Sequence, residues 1–228
     1  MGAMTQFLHH MDWLGFLSFI LSGIGCLICL TVHELSRGWV AYRLGDPTAK
    51  LNGRLTLNPI SHIDWVGLFL LLVVGVGWAK PVPVDMRNFR NPKRDMAFTA
   101  LAGPVSNFLL SVVMLLVGTF LIATAPKDGI LPYVLLFICR ISVLSVGLGL
   151  FNLIPVPPLD GSKILFALLP DRMYHFMLRY ERYMILAVVL LAWSGFLNGI
   201  LGVVMQWVMF LLCKMTGFPF ELVAYYFF

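Results

Sequence analysis

A histidine and a glutamate, His33 and Glu34, stand side by side at the end of a long apolar run of this 228-residue chain. In the pattern H-E-x-x-H, two histidines share one helical face and ligate Zn²⁺, and the glutamate serves as general base. The fifth position of the pattern is here Arg37, whose guanidinium stays protonated and offers a metal no lone pair. His33 and Glu34 alone are equally compatible with a polar cluster that snorkels from a helix end toward the membrane surface.

A second polar group is Asn152 together with Asp160 and Gly161, on either side of a proline-rich stretch. Three prolines in four positions exclude a regular helix over 155–158. An ionisable side chain beside a broken helix at membrane depth indicates a metal or ion site. The alternative is turn chemistry, because Asp-Gly is a common turn pair.

The composition predicts the solvent in which these groups must be positioned. Hydrophobic residues make up 60% of the chain and charged residues 12%, whereas a soluble domain has about 25% charged residues. We therefore predict an all-α integral membrane protein, a multi-pass bundle of about four to six membrane segments forming one domain over 1–228. The net charge of +5 lies beside apolar spans, which favours the lipid bilayer over nucleic acid as the partner.

The apolar runs and turn formers give the expected segments. The first helix should begin near Trp13, continue through His33 and end at Gly45-Asp46-Pro47. Further spans are predicted over 96–125, interrupted early by Gly103-Pro104, and over 131–153.

Three stretches are predicted to be irregular. Residues 66–78 are too short for a span and favour a re-entrant or interfacial segment, and 154–161 form a broken, proline-rich segment. The apolar stretch 184–213 is either one broken helix or a tight hairpin, with breaks at 194–195 and 198–199.

The distribution of lysine and arginine predicts the orientation. Nine of the sixteen Lys and Arg residues lie between Arg37 and Arg94, four more between Lys163 and Arg182, and the turn 126–130 has only Lys127. The positive-inside rule places 37–95 and 155–182 in the cytoplasm. The site is then expected near the cytoplasmic side of a cell membrane, the inner membrane in a bacterium.

Six motifs in a fixed order resemble the site-2 protease family of intramembrane zinc metallopeptidases, in its compact bacterial form, over about residues 15–170. The motifs are His33-Glu34 with Gly38-Trp39-Val40-Ala41-Tyr42-Arg43-Leu44-Gly45-Asp46-Pro47-Thr48-Ala49-Lys50, then Gly53-Arg54-Leu55-Thr56-Leu57-Asn58-Pro59 with His62-Ile63-Asp64, Gly77-Trp78-Ala79-Lys80-Pro81-Val82-Pro83, Ala102-Gly103-Pro104-Val105-Ser106-Asn107, Asn152-Leu153-Ile154-Pro155 and Pro158-Leu159-Asp160-Gly161.

The resemblance implies a role for each matching position. His33 matches a zinc ligand, Glu34 the catalytic base, Asp160 a further zinc ligand, and Asn152 a residue that positions substrate or stabilises the oxyanion. Arg37 stands where the second histidine ligand is expected. The implied activity is a zinc-dependent metalloprotease that cleaves transmembrane segments of membrane proteins near the cytoplasmic face, with Zn²⁺ as cofactor.

Arg37 leaves several interpretations open. The chain is a protease with one His-to-Arg change, a catalytically inactive pseudoprotease that binds or escorts membrane proteins, or an enzyme that uses His62 as the missing ligand. A transporter built around Asp160 would show inverted repeats, and none is found in the sequence. If the metal site is lost, we expect the Arg37 guanidinium to pair with Glu34 or Asp160 in the space of the metal.

Overall fold

The structure is a computed structural model that describes residues 13–67, 79–126, 129–170, 190, 194 and 196–228. Within these residues the long elements are helices. They are α1 (Trp13–Arg43), α2 (Thr48–Leu51), α3 (Pro92–Thr124), α4 (Leu131–Asn152), α5 (Asp160–Ala167), α6 (Phe196–Thr216) and α7 (Phe220–Phe227), with 3-10 turns at Pro59–His62 and Met86–Asn88.

Four of these helices are long and apolar enough to cross a membrane. The candidate spans are Ser18–Arg43, Pro92–Thr124, Leu131–Asn152 and Gly199–Thr216. Their lengths of 18 to 33 residues bracket the roughly 20 residues needed to cross about 30 Å of hydrocarbon. The predicted all-α, multi-pass membrane architecture is confirmed.

Helix α1 continues beyond its apolar part and carries the polar motif, as predicted. It ends where Gly45 adopts a φ of +111°, a conformation that strongly favours glycine. The carboxylate of the fully buried Asp46 then accepts hydrogen bonds from the backbone N–H of Thr48 and of Asp85. Asp46 thereby ties the segment after residue 79 to the end of α1.

Helices α1, α3 and α4 pack together through small and polar side chains. The Ser36 hydroxyl lies 2.8 Å from that of Ser106, and the Ser145 hydroxyl donates to the Asn107 carbonyl at 2.9 Å. Small residues with inter-helix hydrogen bonds are typical of helix contacts inside a membrane, because they let the backbones approach closely. These contacts bring the polar part of α1 against α3.

Two predicted interruptions are wrong. Helix α3 runs unbroken past Pro104. Transmembrane helices tolerate an internal proline, and hydroxyl oxygens lie near carbonyl oxygens of this turn, Ser36 3.2 Å from Ala102 and Ser106 2.7 Å from Gly103. Helix α6 includes 198–199 without a break, since one glycine costs a helix only about 1 kcal/mol.

The other predicted irregular segments have different outcomes. The proline-rich break ends earlier than expected, because α5 already begins at Asp160. The stretch 153–159 carries no regular helix. Most of the predicted re-entrant segment 66–78, from residue 68 onward, and most of 184–195 lie outside the described residues.

Candidate active site

His33, Glu34 and Arg37 are positioned by α1 and meet Asp160 at the start of α5. Positions 33 and 37 are four residues apart and positions 34 and 37 are three apart, so their side chains are neighbours on the helix surface. Asp160 follows the irregular stretch 153–159, which turns the chain back toward α1. All four residues are buried, with at most 7% of their surface exposed.

The Arg37 guanidinium lies between two carboxylates. Its Nη1 is 3.3 Å from Oε1 and 3.4 Å from Oε2 of Glu34, and its Nη2 is 3.3 Å from Oδ1 of Asp160. The expected ion pair is therefore present, and it includes both acidic residues instead of one. A buried cation between two buried anions offsets charges that would each be costly to bury alone.

The imidazole of His33 is held on three sides. Its Nε2 lies 3.0 Å from Oδ2 of Asp160, and its Nδ1 accepts from the Asn107 amide at 3.1 Å. With Asn107 as donor, the ring proton is on Nε2 and donates to Asp160. A Cβ on Gly103 would lie 2.4–2.9 Å from ring atoms of His33, so only glycine at position 103 leaves room for the ring.

A backbone donor fixes Glu34. The N–H of Val82 donates to Oε2 of Glu34 at 2.8 Å. Pro81 and Pro83 have no N–H, so Val82 is the single backbone donor of this tripeptide and it is used on Glu34. With Arg37 on its other side, the Glu34 carboxylate is held without a metal.

The electrostatic environment of Asp160 follows from the same contacts. Burial alone would raise the pKa of this carboxyl group. The Arg37 charge, the hydrogen bond from His33 and the charge of Lys163, whose Nζ lies 3.6 Å away, outweigh burial and lower the pKa below its ordinary value. Asp160 is therefore an anion when it is paired with Arg37 in this cluster.

Asn152 and His62 are not part of this cluster. The Asn152 amide donates to the Leu148 carbonyl of its own helix at 2.9 Å, and within the described part of the chain no hydrogen bond joins it to His33 or Asp160. His62 is buried, with its Nε2 3.0 Å from the Thr56 carbonyl oxygen. That contact holds the His62 ring against its own loop. It does not support the hypothesis that His62 replaces a metal ligand.

The donor set of this cluster does not fit zinc. A catalytic zinc site takes three protein donors and leaves one position open. His33 and Asp160 supply two, and the cationic Arg37 stands in the third place with no lone pair. Among the described residues, no group of three His, Cys, Asp or Glu side chains is arranged to hold a metal ion.

Sequence reasoning missed three partners of the cluster: Asn107, Lys163 and the N–H of Val82. Asn107 belongs to a motif that the resemblance singled out, although without a role. The signal for Val82 was the Pro-Val-Pro pattern, which leaves one donor in an otherwise donor-free segment.

Comparison with known proteins supports the resemblance seen in the sequence. The model of Peptidase family M50 matches residues 123–196. YwhC of Bacillus subtilis, provisionally named a zinc metalloprotease, is 42% identical over 167 residues, which cover 70% of this chain and 74% of YwhC.

More distant relatives bear similar names. Rip2 of Mycolicibacterium smegmatis, also provisionally named a zinc metalloprotease, is 30% identical over 148 residues, or 63% of this chain and 55% of Rip2. The zinc metalloprotease MJ0392 of Methanocaldococcus jannaschii is 29% identical over 145 residues, or 64% of this chain and 33% of that protein. No solved structure matches the chain. The order of motifs, the four apolar helices and the extent of the likeness to YwhC together show that the chain belongs to Peptidase family M50, the site-2 proteases.

Proposed function

We propose that this protein binds transmembrane segments of other membrane proteins at a site-2 protease site and, with arginine at position 37, does not cleave them. The observation that carries the proposal is the position of the Arg37 guanidinium, within 3.3 Å of both Glu34 and Asp160. The carboxylate expected to act as base and the carboxylate expected to bind metal are thus both paired with a cation of the chain itself.

Zinc-dependent peptide cleavage near the cytoplasmic face is the alternative function, and the names of the relatives favour it. Because the chain supplies two of the three donors that such a centre needs, we assign this activity to the Arg37→His variant. The variant changes one residue on a helix whose neighbouring motifs are intact. It should cleave transmembrane segments.

Two features support a transmembrane segment as the bound partner. The cluster lies on a membrane-spanning helix, so a binding partner must be present at that depth. Residues 153–159 beside Asp160 lack regular helix, and Pro155 is exposed. An irregular stretch at membrane depth gives a partly unwound segment a path to the cluster.

The proposed location is the cell membrane, with the site toward the cytoplasm. Support comes from the basic residues that follow α1, which the positive-inside rule places on the cytoplasmic side. The site residues His33 to Arg37 belong to the same end of α1 as these basic residues.

Photo-crosslinking in native membranes tests the proposed binding. A photo-reactive amino acid at Val156, in the irregular stretch that precedes Asp160, should capture single-span or multi-span membrane proteins through their transmembrane segments. The matched control is Tyr133, which is 66% exposed at the opposite end of α4. Captured partners are identified by mass spectrometry of the crosslinked peptides.

The same partners then serve as reporters of cleavage. The chain with Arg37 should leave a captured partner intact, and the Arg37→His variant should cut it within its transmembrane segment. Equal capture at Val156 and Tyr133 would contradict specific binding. Cleavage by the chain with Arg37, abolished by Glu34→Gln, would contradict the inactive assignment.

A further inference from the structure

The end of α1 beyond the site carries two pairs of a cation and an aromatic ring. Trp39, Tyr42 and Arg43 are spaced i, i+3 and i+4 and therefore lie on one helical face. The Arg43 Cζ is 5.4 Å from the centre of the Trp39 ring. The Lys50 Nζ, from α2, is 4.5 Å from the centre of the Tyr42 ring and 2.8 Å from its hydroxyl. These four exposed residues are called the basic–aromatic surface below.

The exposed charges of the basic–aromatic surface are positive. The carboxylate of Asp85, whose backbone N–H bonds to Asp46, is paired with Arg87 at 2.6 Å. Residues 38–63 contain a single carboxylate, Asp46. Asp46 is fully buried and is occupied by hydrogen bonds from the loop. Arg43 and Lys50 therefore face outward without an exposed acidic residue in this part of the sequence, and the surface attracts anions.

The connection that follows exposes large apolar side chains. The exposed fractions are 81% for Leu51, 69% for Leu57, 64% for Ile60 and 69% for Trp65. The Asn58 side chain caps the turn Pro59–His62 by accepting a hydrogen bond from the backbone N–H of Ile60. Exposed apolar side chains next to exposed cations are suited to a membrane interface, where hydrocarbon meets anionic headgroups.

The length of α1 places these residues at such a boundary. Its 31 residues extend about 46 Å at 1.5 Å per residue, well beyond the roughly 30 Å of hydrocarbon in a bilayer. Trp and Tyr are enriched in the headgroup layer, and anionic lipids attract Lys and Arg there. Arg43 lies ten residues, or about 15 Å, beyond His33 along the helix.

We propose that the basic–aromatic surface binds the anionic headgroups of phospholipids in the leaflet at this end of α1. The phosphate groups pair with Arg43 and Lys50, and the Trp39 and Tyr42 rings lie at the level of the headgroups. Binding there fixes the height of α1 in the bilayer. The height of α1 in turn sets where a transmembrane segment meets the site. That last step rests on the proposed function, whereas the lipid binding itself does not.

Native mass spectrometry of the full chain in detergent tests this proposal. The protein is titrated with phosphatidylglycerol and, separately, with phosphatidylcholine, and it should retain the anionic lipid preferentially. The double variant Arg43→Gln/Lys50→Gln should lose that preference by about five-fold for each cation removed. Arg87→Gln is the control, because Arg87 is an exposed cation that pairs with Asp85 outside the surface.

Charge-conserving changes separate lipid binding from structural damage. Arg43→Lys/Lys50→Arg should keep the preference for phosphatidylglycerol, and all variants should unfold at the temperature of the parent. If the double variant unfolds early, the two single variants carry the test, each with about half the loss on a logarithmic scale. Equal retention of both lipids by the parent, or an unchanged preference in the double variant, would overturn the proposal. The surface would then have to be explained by a soluble partner.

Discussion

Replacing Arg37 by methionine is expected to destabilise the fold by about 3–5 kcal/mol, the cost typical of removing one partner from a buried ion pair. Methionine fills similar space but leaves Glu34 buried without its cation and leaves Asp160 with only Lys163 and His33 as partners. One of these carboxylates must then take up a proton, draw in water or separate the helices. Thermal unfolding in detergent micelles measures the loss.

Two controls show whether charge or shape causes the effect. The triple variant Glu34→Gln/Arg37→Met/Asp160→Asn removes all three charges and should recover much of the lost stability, because no unpaired charge stays buried. Arg87→Met removes an exposed ion pair and should change stability by less than about 0.5 kcal/mol. An Arg37→Met protein as stable as its parent would contradict the role assigned to the guanidinium.

Replacing Gly161 by alanine is expected to have an effect of similar size for a steric reason. The added Cβ would lie 2.2 Å from the Leu153 carbonyl oxygen and 2.7 Å from that of Ile154. Both contacts are with backbone, which cannot move aside as the end of a side chain can. We expect a loss of about 3 kcal/mol, at the upper end for an overpacked site, with displacement of Asp160 from His33.

Gly202→Ala is the matched control for this substitution. Gly202 also lies in a helix, α6, and its added Cβ would meet nothing within 4 Å. Because alanine is favoured over glycine in helices, this variant should be as stable as the parent or gain up to about 1 kcal/mol. Equal unfolding temperatures for the Gly161→Ala and Gly202→Ala variants would mean that the stretch 153–159 is not packed on α5 as described.

Local features of the sequence were sufficient to predict the first helix and its polar end. The apolar run before His33 contains no proline, and Gly45-Asp46-Pro47 marks the end. The pairing of Arg37 with Glu34 follows from their spacing of three residues. The predicted break at Gly103-Pro104 failed because a transmembrane helix tolerates an internal proline. The predicted break at 198–199 failed because one glycine costs a helix only about 1 kcal/mol.

Contacts between distant parts of the chain could not be predicted in the same way. Asn107 is 74 residues from His33, and Val82 is 48 residues from Glu34. The Pro-Val-Pro pattern marks the Val82 N–H as a donor but does not indicate that Glu34 accepts from it. The approach of Asp160 to Arg37 was suggested by the family resemblance alone, since no local pattern fixes a distance across 123 residues.

The number of zinc ions bound per purified chain tests the central claim most directly. The full chain and its Arg37→His variant are purified side by side in detergent with added zinc, and the metal is measured by inductively coupled plasma mass spectrometry after removal of excess. We predict that the chain with Arg37 retains essentially no zinc, whereas the Arg37→His variant retains about one ion, as a site with three protein donors should. About one zinc ion in the chain with Arg37 would contradict the account, because a ligand other than position 37 would then complete the metal centre.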